Sequence, residues 1–343
     1  MFTPKYTITE KLLATIKHVN SLVIELNHRR FSLPVLANLE KSARDLSAFA
    51  STSIEGNPLP LTEVKKILKS SPAHIRDSEK EVLNYNLALT NLDKNLKNGK
   101  LKLSLQLILR IHRQVMRGLL PNSETGLLRQ KPVVVNDPRT GQIVYLPPDY
   151  IDAPSLITDL LGFISGNRDK IDPLILAGIF HRQMVLIHPF MDGNGRVTRL
   201  ATKVLLAQMG VNTFKLFSFE NYYNQNVARY FQYVGEQGNY YELVKIIDFT
   251  PWLEYFTEGI VDELLRVQKI LPPVIASPET SLQPHLTRLL KYLQANGFIA
   301  DRDYAKLVSR AKSTRALDFK KLIKIGLIEA KGRGKATYYI KRY

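Results

Sequence analysis

The chain has 343 residues, 45% of them apolar and 23% charged, which suffices for two or three domains with buried cores. It contains no cysteine, and this excludes disulfides, thiolate nucleophiles and cysteine-ligated zinc or iron–sulfur centres. Its net charge of +17 favours polyanionic partners, and the excess is concentrated at the end: residues 281–343 carry 15 Lys/Arg against 4 Asp/Glu.

The N-terminal stretch is interrupted by charge and has no cleavage-like site after an apolar core, and apolar runs such as "LILAGIF" are too short to span a bilayer. The expectation is a cytoplasmic protein with no membrane partner. Residues 8–50 have helical periodicity, with a second segment beginning at Pro34 and stopping at "GNPLP", where glycine and proline end a helix. Two more helices are expected in 61–98, joined near "SSPAHIRD", and another at 102–118. The pattern then changes. "VVVNDPRTGQIVYLPP" places two short β-prone runs around "NDPRTG", a hairpin with a loop of several residues. Helical periodicity returns in "PSLITDLLGFISG", "DPLILAGIFHRQMVLI" and "VTRLATKVLLAQMG", and 221–265 reads as helical and tyrosine-rich, with "PWLEYF" as a helix start. A proline- and serine-bearing linker at 267–283 precedes three short helices, at 284–296, 301–309 and 312–326, and two strand-like runs around a basic, glycine-rich turn. The fold class is mainly α, with one β-hairpin in the larger part and a small C-terminal domain.

Between two of these helical segments stands "HPFMDGNGRVTR", residues 188–199. Gly193, Asn194 and Gly195 immediately precede a helix, where free N–H groups and the positive end of the helix dipole form an anion site that the backbone can bring close to its guest. Arg196 and Arg199 are three apart and share a face of that helix, and their guanidinium groups can fork onto phosphate oxygens. Asp192 is suited to Mg²⁺, which takes one or two carboxylates together with substrate phosphates. His188 titrates near neutrality and suits a general base that activates a hydroxyl. An anion cradle, two cation clamps, a metal ligand and a base describe phosphoryl or nucleotidyl transfer. No GxxxxGK[ST] pattern occurs, and neither HRD nor DFG is present, so neither a P-loop nor a protein-kinase site is involved.

This segment resembles the Fic family motif HxFx(D/E)GNGRxxR at every defined position, and the hairpin at 132–147 resembles the Fic flap. The resemblance covers roughly residues 1–265. It implies a helical Fic-type bundle and an ATP-dependent protein adenylyltransferase, in which a target hydroxyl attacks the α-phosphorus of ATP and pyrophosphate leaves. By resemblance, His188 would be the base, Asp192 the Mg²⁺ ligand and Asn194 an α-phosphate contact. Gly193 and Gly195 would form the anion hole, Arg196 and Arg199 would hold the β- and γ-phosphates, and Phe190 would anchor the loop. The flap would align a target segment by strand addition. The family's inhibitory motif (S/T)xxxE(G/N) is matched by "STSIEG", residues 51–56. Ser51, Glu55 and Gly56 would end a helix whose carboxylate pairs with Arg199 at the γ-phosphate position. Tyr222, Tyr223 and Asn224 are candidates for the adenine side, with Gly141 and Tyr145 of the flap behind them; His181 is expected to be packed or hydrogen-bonded rather than a second base.

The expected organisation is an N-terminal helical region at 1–110, a catalytic domain at 111–266, the linker, and a winged helix-turn-helix at 284–343. In that last domain Thr314, Arg315, Lys320, Lys321 and Lys324, with Lys331, Arg333 and Lys335 in the wing, could meet nucleic-acid phosphates. The partners to expect are a target protein on the flap, DNA at the C-terminal domain and a second copy of the chain in a homodimer. Self-modification, removal of AMP, transfer of another phosphate-containing group, and a DNA-binding regulator with a nucleotide-sensing domain are alternatives consistent with the same residues.

Overall fold

The structure, a computed structural model, describes residues 2–29, 33–70, 75–97, 101–137, 140–208, 210–211, 215–271, 283–324, 327–332 and 334–341. Most of the expected linker, Pro138 and Arg139 of the hairpin loop, and Arg333 lie outside the described residues, as do the side chains of Lys324 and Lys335. The chain divides into two compact units, one made of Met1–Leu26 and Lys41–Lys269 and the other of Asn27–Glu40 and Ile270–Tyr343. The first unit runs unbroken across residue 110.

The elements in chain order are α1 (Glu10–His28), α2 (Leu33–Ile54), α3 (Leu61–Ser70), α4 (Asp77–Lys97), α5 (Leu105–Val115), β1 (Val135–Asn136), β2 (Ile143–Leu146), α6 (Ala153–Gly166), α7 (Pro173–Ile187), α8 (Asn194–Gln208), α9 (Glu220–Gln225), α10 (Val227–Val234), β3 (Gly238–Asn239), α11 (Tyr240–Leu243) and α12 (Thr250–Ile270). The mainly helical class expected from periodicity is what the structure shows. α7 buries 13 of its 15 residues, the polar His181, Arg182 and Gln183 among them, which makes it the central helix. Asp172 starts it, accepting the Leu174 N–H at 2.8 Å, with Pro173 at the first helical position. α12 crosses α7 at Gly178: a Cβ there would lie 2.6 Å from Leu253 Cδ2, and the Trp252 indole N–H donates to the Gly178 carbonyl at 2.8 Å. None of the described helices is long and apolar enough to cross a membrane.

The hairpin forms with β1 and β2 antiparallel and a register irregularity at Val135/Asn136. A third strand, β3, joins β2 in parallel, pairing Tyr145 with Gly238 and Leu146 with Asn239. Sequence periodicity missed β3 because it lies inside the tyrosine-rich stretch expected to be helical. That stretch is broken by its own polar and glycine residues. Asn226 caps α10 by accepting the Arg229 N–H at 3.0 Å, Gly238 takes φ +113°, and Asn239 accepts the Tyr241 N–H at 2.9 Å.

The second unit contains α13 (Pro284–Asn296), β4 (Phe298–Ile299), α14 (Asp301–Leu307), α15 (Lys312–Lys324), β5 (Ile328–Lys331) and β6 (Tyr338–Lys341), with strand order β4-β6-β5. Its core is built from Leu286, Leu289, Leu293, Tyr304, Phe319 and Ile328, among others. One charge expectation is corrected here. Arg315 does not face outward for a phosphate. Its Nε and Nη2 hold Asp301 at 2.8 and 2.9 Å, and Nη1 donates to the Arg310 carbonyl at 2.6 Å. Asp318, buried in the same unit, accepts the Tyr304 hydroxyl at 2.9 Å and pairs with Arg310 at 3.0 Å. Lys320 and Lys321 are exposed, Thr314 is half-buried, and Lys331 pairs with Glu329 at 3.0 Å on the surface.

Candidate active site

The motif forms a tight loop between the end of α7 and the start of α8, and each residue is held by a nameable contact. His188 caps α7 in the left-handed region at φ 50°, ψ 59°, a conformation uncommon for a residue with a side chain and one that turns the ring out of the helix path. The half-buried ring lies 3.3 Å through Nδ1 from the Val185 carbonyl, which can only accept, so Nδ1 carries the proton and Nε2 keeps a lone pair. Burial pushes the imidazole below its usual pKa, with the Val185 bond and the Glu55 charge opposing that shift. The His188 carbonyl accepts Arg129 Nε at 2.8 Å, while the same guanidinium reaches the carbonyls of Lys131 and Pro148. The Tyr145 hydroxyl donates to the Leu186 carbonyl at 2.9 Å, tying β2 to the last turn of α7.

Phe190 is fully buried and stacks on His112 of α5, the ring centroids 3.9 Å apart and the planes 8° from parallel. Asn194 closes the loop reciprocally: its Oδ1 accepts the Phe190 N–H and its Nδ2 donates to the Phe190 carbonyl, both at 2.9 Å. This side chain was expected to meet an α-phosphate. The structure instead uses it to shape the loop, leaving its second amide hydrogen as the donor it can offer an anion. Gly193 has φ +81°, and a Cβ there would lie 2.6 Å from Met116 Sδ. Asp192 projects an exposed carboxylate that accepts Arg196 Nη2 at 3.0 Å and the Gly193 N–H.

α8 begins at Asn194, and its first-turn N–H groups have no partner within the helix. Over this positive end lies the carboxylate of Glu55: a Cβ on Gly195 would sit 2.1 Å from Glu55 Oε1. Arg199, fully buried, donates through Nη2 to Glu55 Oε1 at 2.7 Å and to the Ser51 carbonyl at 2.8 Å, and through Nε to Ser51 Oγ at 2.7 Å. Burial opposes its charge most strongly, but Glu55, Tyr230 and Tyr85 together outweigh it and the pKa is raised. Arg199 Nη1 is buried without a hydrogen-bond partner among the described residues and lies 2.9 Å from the same Gly195 Cβ position. The second cation, Arg196, is buried between Asp192 and Glu81, the latter at 3.2 Å. Ser51 lies in the last turn of α2, and Gly56, at φ +91°, takes the left-handed turn just beyond that helix. The segments 51–56 and 188–199, remote in sequence, thus meet at Arg199.

Behind Arg199 is a buried polar cluster. The Tyr85 hydroxyl donates to Glu220 at 2.7 Å, Lys203 pairs with Glu220 at 3.1 Å, and Lys203 donates to Ser47 of α2 at 2.6 Å. His181 is fully buried between the Tyr230 hydroxyl at 3.0 Å and Thr202 Oγ1 at 3.2 Å, and burial depresses its pKa well below the usual value. It is packed and hydrogen-bonded, as its position two turns before His188 suggests.

The adenine-side expectation is corrected for Tyr223. This residue is fully buried, stacked on Tyr230 at 4.6 Å and on Tyr255 at 5.8 Å, and presents no face to a ligand. Tyr222 and Asn224 are half-buried, with the Tyr222 ring against Gly259 of α12. Tyr145 is also buried, and its hydroxyl serves the α7 tie described above. Gly141 turns the hairpin loop at φ +70° with open space beside it. The residues that sequence reasoning missed are His112, Arg129 and Glu81. His112 had a legible signal, an ionisable side chain on the apolar face of α5 among Leu107, Ile108, Ile111 and Val115. The other two had none.

No cluster of three or more His, Cys, Asp or Glu suited to a metal occurs among the described residues. That is compatible with Mg²⁺, which needs one exposed carboxylate when phosphates complete its shell, and Asp192 is such a carboxylate.

A helix start flanked by a histidine, a carboxylate and two buried arginines is an arrangement chemically able to hold a phosphate. Residues 102–206 match the model of the Fic/DOC family. The chain is 30% identical over 200 residues to a protein adenylyltransferase fic-1 of Caenorhabditis elegans, covering 57% of this chain and 38% of the relative. It is 26% identical over 281 residues to a protein adenylyltransferase Fic of Drosophila virilis, covering 76% and 53%. The chain therefore matches about half or less of the length of these curated relatives. Among solved structures, a Fic family protein of Desulfovibrio desulfuricans superposes over 99% of this chain and 98% of its own, with a TM-score of 0.67 at 20% identity. C. elegans Fic-1 residues 134–508 superpose over 75% and 72%, with a TM-score of 0.59 at 24% identity. These likenesses establish the fold.

Proposed function

We propose that the protein is an autoinhibited adenylyltransferase that transfers AMP from ATP to a hydroxyl of a target protein. The observation that carries this reading is the placement of a proton-free His188 Nε2 on the same short loop as an anion site at the start of α8. A triphosphate over that helix end would meet Gly193, Gly195 and the second amide hydrogen of Asn194, with the guanidinium groups of Arg196 and Arg199 beyond. His188 would take the proton of the attacking hydroxyl, and pyrophosphate would leave as the oxygen bonds to the α-phosphorus. Asp192 would hold Mg²⁺, which supplies charge neutralisation for the phosphates when bound. That the relatives are protein adenylyltransferases supports the same chemistry.

Autoinhibition is supported by where Glu55 lies. Its carboxylate takes the Arg199 fork and covers Gly195, so a nucleotide phosphate and Glu55 compete for one place. The exposed apolar residues Val134, Ile143 and Leu146 of the hairpin are suited to a target segment laid along β1.

The test is incubation of wild type, Glu55→Gly and His188→Ala with Mg²⁺ and ATP labelled at the α- or the γ-phosphate. Transfer of α-label, increased by Glu55→Gly and abolished by His188→Ala, is expected. Transfer of γ-label would replace this reading with kinase chemistry.

For the second unit we propose a winged helix-turn-helix that contacts nucleic acid through lysines. Lys320 and Lys321 are exposed on α15, whereas Arg310 and Arg315 are held by Asp318 and Asp301. Lysines are point charges without a bidentate fork, which suits backbone contact more than base readout. Affinity for duplex DNA should fall steeply with salt, and lack of binding at low salt would remove the proposal.

A further inference from the structure

Asp192 and Gly193 are joined by a trans peptide, so the Asp192 carbonyl and the Gly193 N–H point in opposite directions. The carbonyl points into the protein, where it meets His112 Nε2 at 3.1 Å. The N–H therefore points away from His112, and there it meets the Asp192 carboxylate. The orientation of His112 is fixed independently. The Gly126 N–H donates to its Nδ1 at 2.8 Å, so Nδ1 is the acceptor and Nε2–H the donor. The ring is fully buried and stacked on Phe190, and its neighbour Met116 backs onto Gly193. The end of α5 is thus the floor of the loop, and one histidine bonds the carbonyl of the peptide whose N–H the Asp192 carboxylate accepts.

We infer that His112 is a positioning residue for the transfer reaction: its Nε2–H bond to the Asp192 carbonyl aims the Gly193 N–H at the phosphate that undergoes attack. This inference rests on the transfer reading above. A donor that is pre-aimed stabilises charge developing in the transition state, so its loss lowers kcat more than it raises KM for ATP. A merely structural histidine would lower activity only as far as it lowers stability.

The experiment uses three variants in the Glu55→Gly background, each removing a different part of the side chain's role. His112→Gln places an amide N–H within reach of the Asp192 carbonyl and lacks the acceptor for Gly126. His112→Asn places a carbonyl near the Gly126 N–H and lacks the donor for Asp192. His112→Phe keeps only the stacking on Phe190. Steady-state α-phosphate transfer and Tm are measured for all four proteins. Asn and Phe are expected to lose about 30- to 100-fold in kcat, with KM for ATP changed less than about 3-fold, while Gln stays within about 5-fold of its parent. The rates should not follow the order of Tm. Rates for Asn equal to the parent, or for Gln no better than Asn, would overturn the inference, as would rates that simply track Tm. A Glu55→Gly parent that transfers no α-label overturns the transfer reading and this inference with it, whereas an active parent with indifferent His112 variants overturns only the latter.

Discussion

Gly195→Ala reports directly on where the Glu55 carboxylate lies. Gly195 belongs to the first turn of α8 and does not have a positive φ, so alanine is conformationally acceptable there. The added methyl would nevertheless stand 2.1 Å from Glu55 Oε1 and 3.0 Å from Cδ, and the carboxylate has to leave. Its departure breaks the 2.7 Å charge-assisted bond to a fully buried Arg199, a loss of about 1.5–3 kcal/mol for a hydrogen bond to a charged group. Replacing glycine by alanine in a helix returns about 0.5–1 kcal/mol. The net expectation in wild type is a destabilisation of about 1–2 kcal/mol. In the Glu55→Gly background the clash is gone and only Arg199 Nη1, at 2.9 Å, has to yield by a few tenths of an ångström. There the same substitution should stabilise by about 0.5 kcal/mol, a reversal of sign. Urea unfolding of the four proteins gives the cycle, with an expected coupling of about 1.5–2.5 kcal/mol. An identical shift in both backgrounds would refute the placement of Glu55 over the helix end, and with it the structural basis for autoinhibition.

Two further predictions concern pH. Burial lowers the His188 pKa below its usual 6.5 and the Glu55 charge raises it, so the base is already neutral at pH 7. The transfer rate of Glu55→Gly should therefore be flat between pH 7 and 8 and fall only below about pH 6.5, with its acid limb lower than that of wild type; an acid limb centred above 7 would contradict the assignment. His181 is buried neutral, with its folded pKa well below the value of 6.5. The unfolded chain takes up that proton first, so its contribution to stability is complete above pH 6.5 and is lost as pH falls below it. A His181→Gln variant should lose less stability than wild type between pH 7 and 5 by urea unfolding, and parallel curves would count against the argument.

The motif at 188–199 was legible because its residues are contiguous and each type has a chemical reason to be there. Glycines permit the loop, the arginines share a helix face, and the histidine follows an apolar helix. The match at 51–56 was legible only beside it, since the Ser51 and Glu55 spacing alone is common. What could not be read is what tertiary contact decides. Glu81 and Arg129 are ordinary surface-type residues in the sequence, yet the fold brings them to Arg196 and to the His188 carbonyl. Tyr222 and Tyr223 are adjacent and chemically identical, but only Tyr223 is fully enclosed, because helical rotation turns it into the Tyr230–Trp252–Tyr255 cluster. Arg315 looked available in a basic stretch because the Asp301 that holds it is 14 positions away, beyond the reach of any local pattern.

The ties made by Tyr145 and Arg129 have a consequence for how a substrate chain is read. Tyr145 fastens the hairpin to the Leu186 carbonyl, and Arg129 fastens the hairpin's two ends, at Lys131 and Pro148, to the His188 carbonyl. The surface that would grip an incoming polypeptide and the imidazole that would deprotonate it are therefore joined by direct hydrogen bonds. A chain clamped by its main-chain amides alone would be indexed to within a fraction of a residue of the imidazole, so the choice of hydroxyl can be made by counting along the backbone instead of by recognising neighbouring side chains.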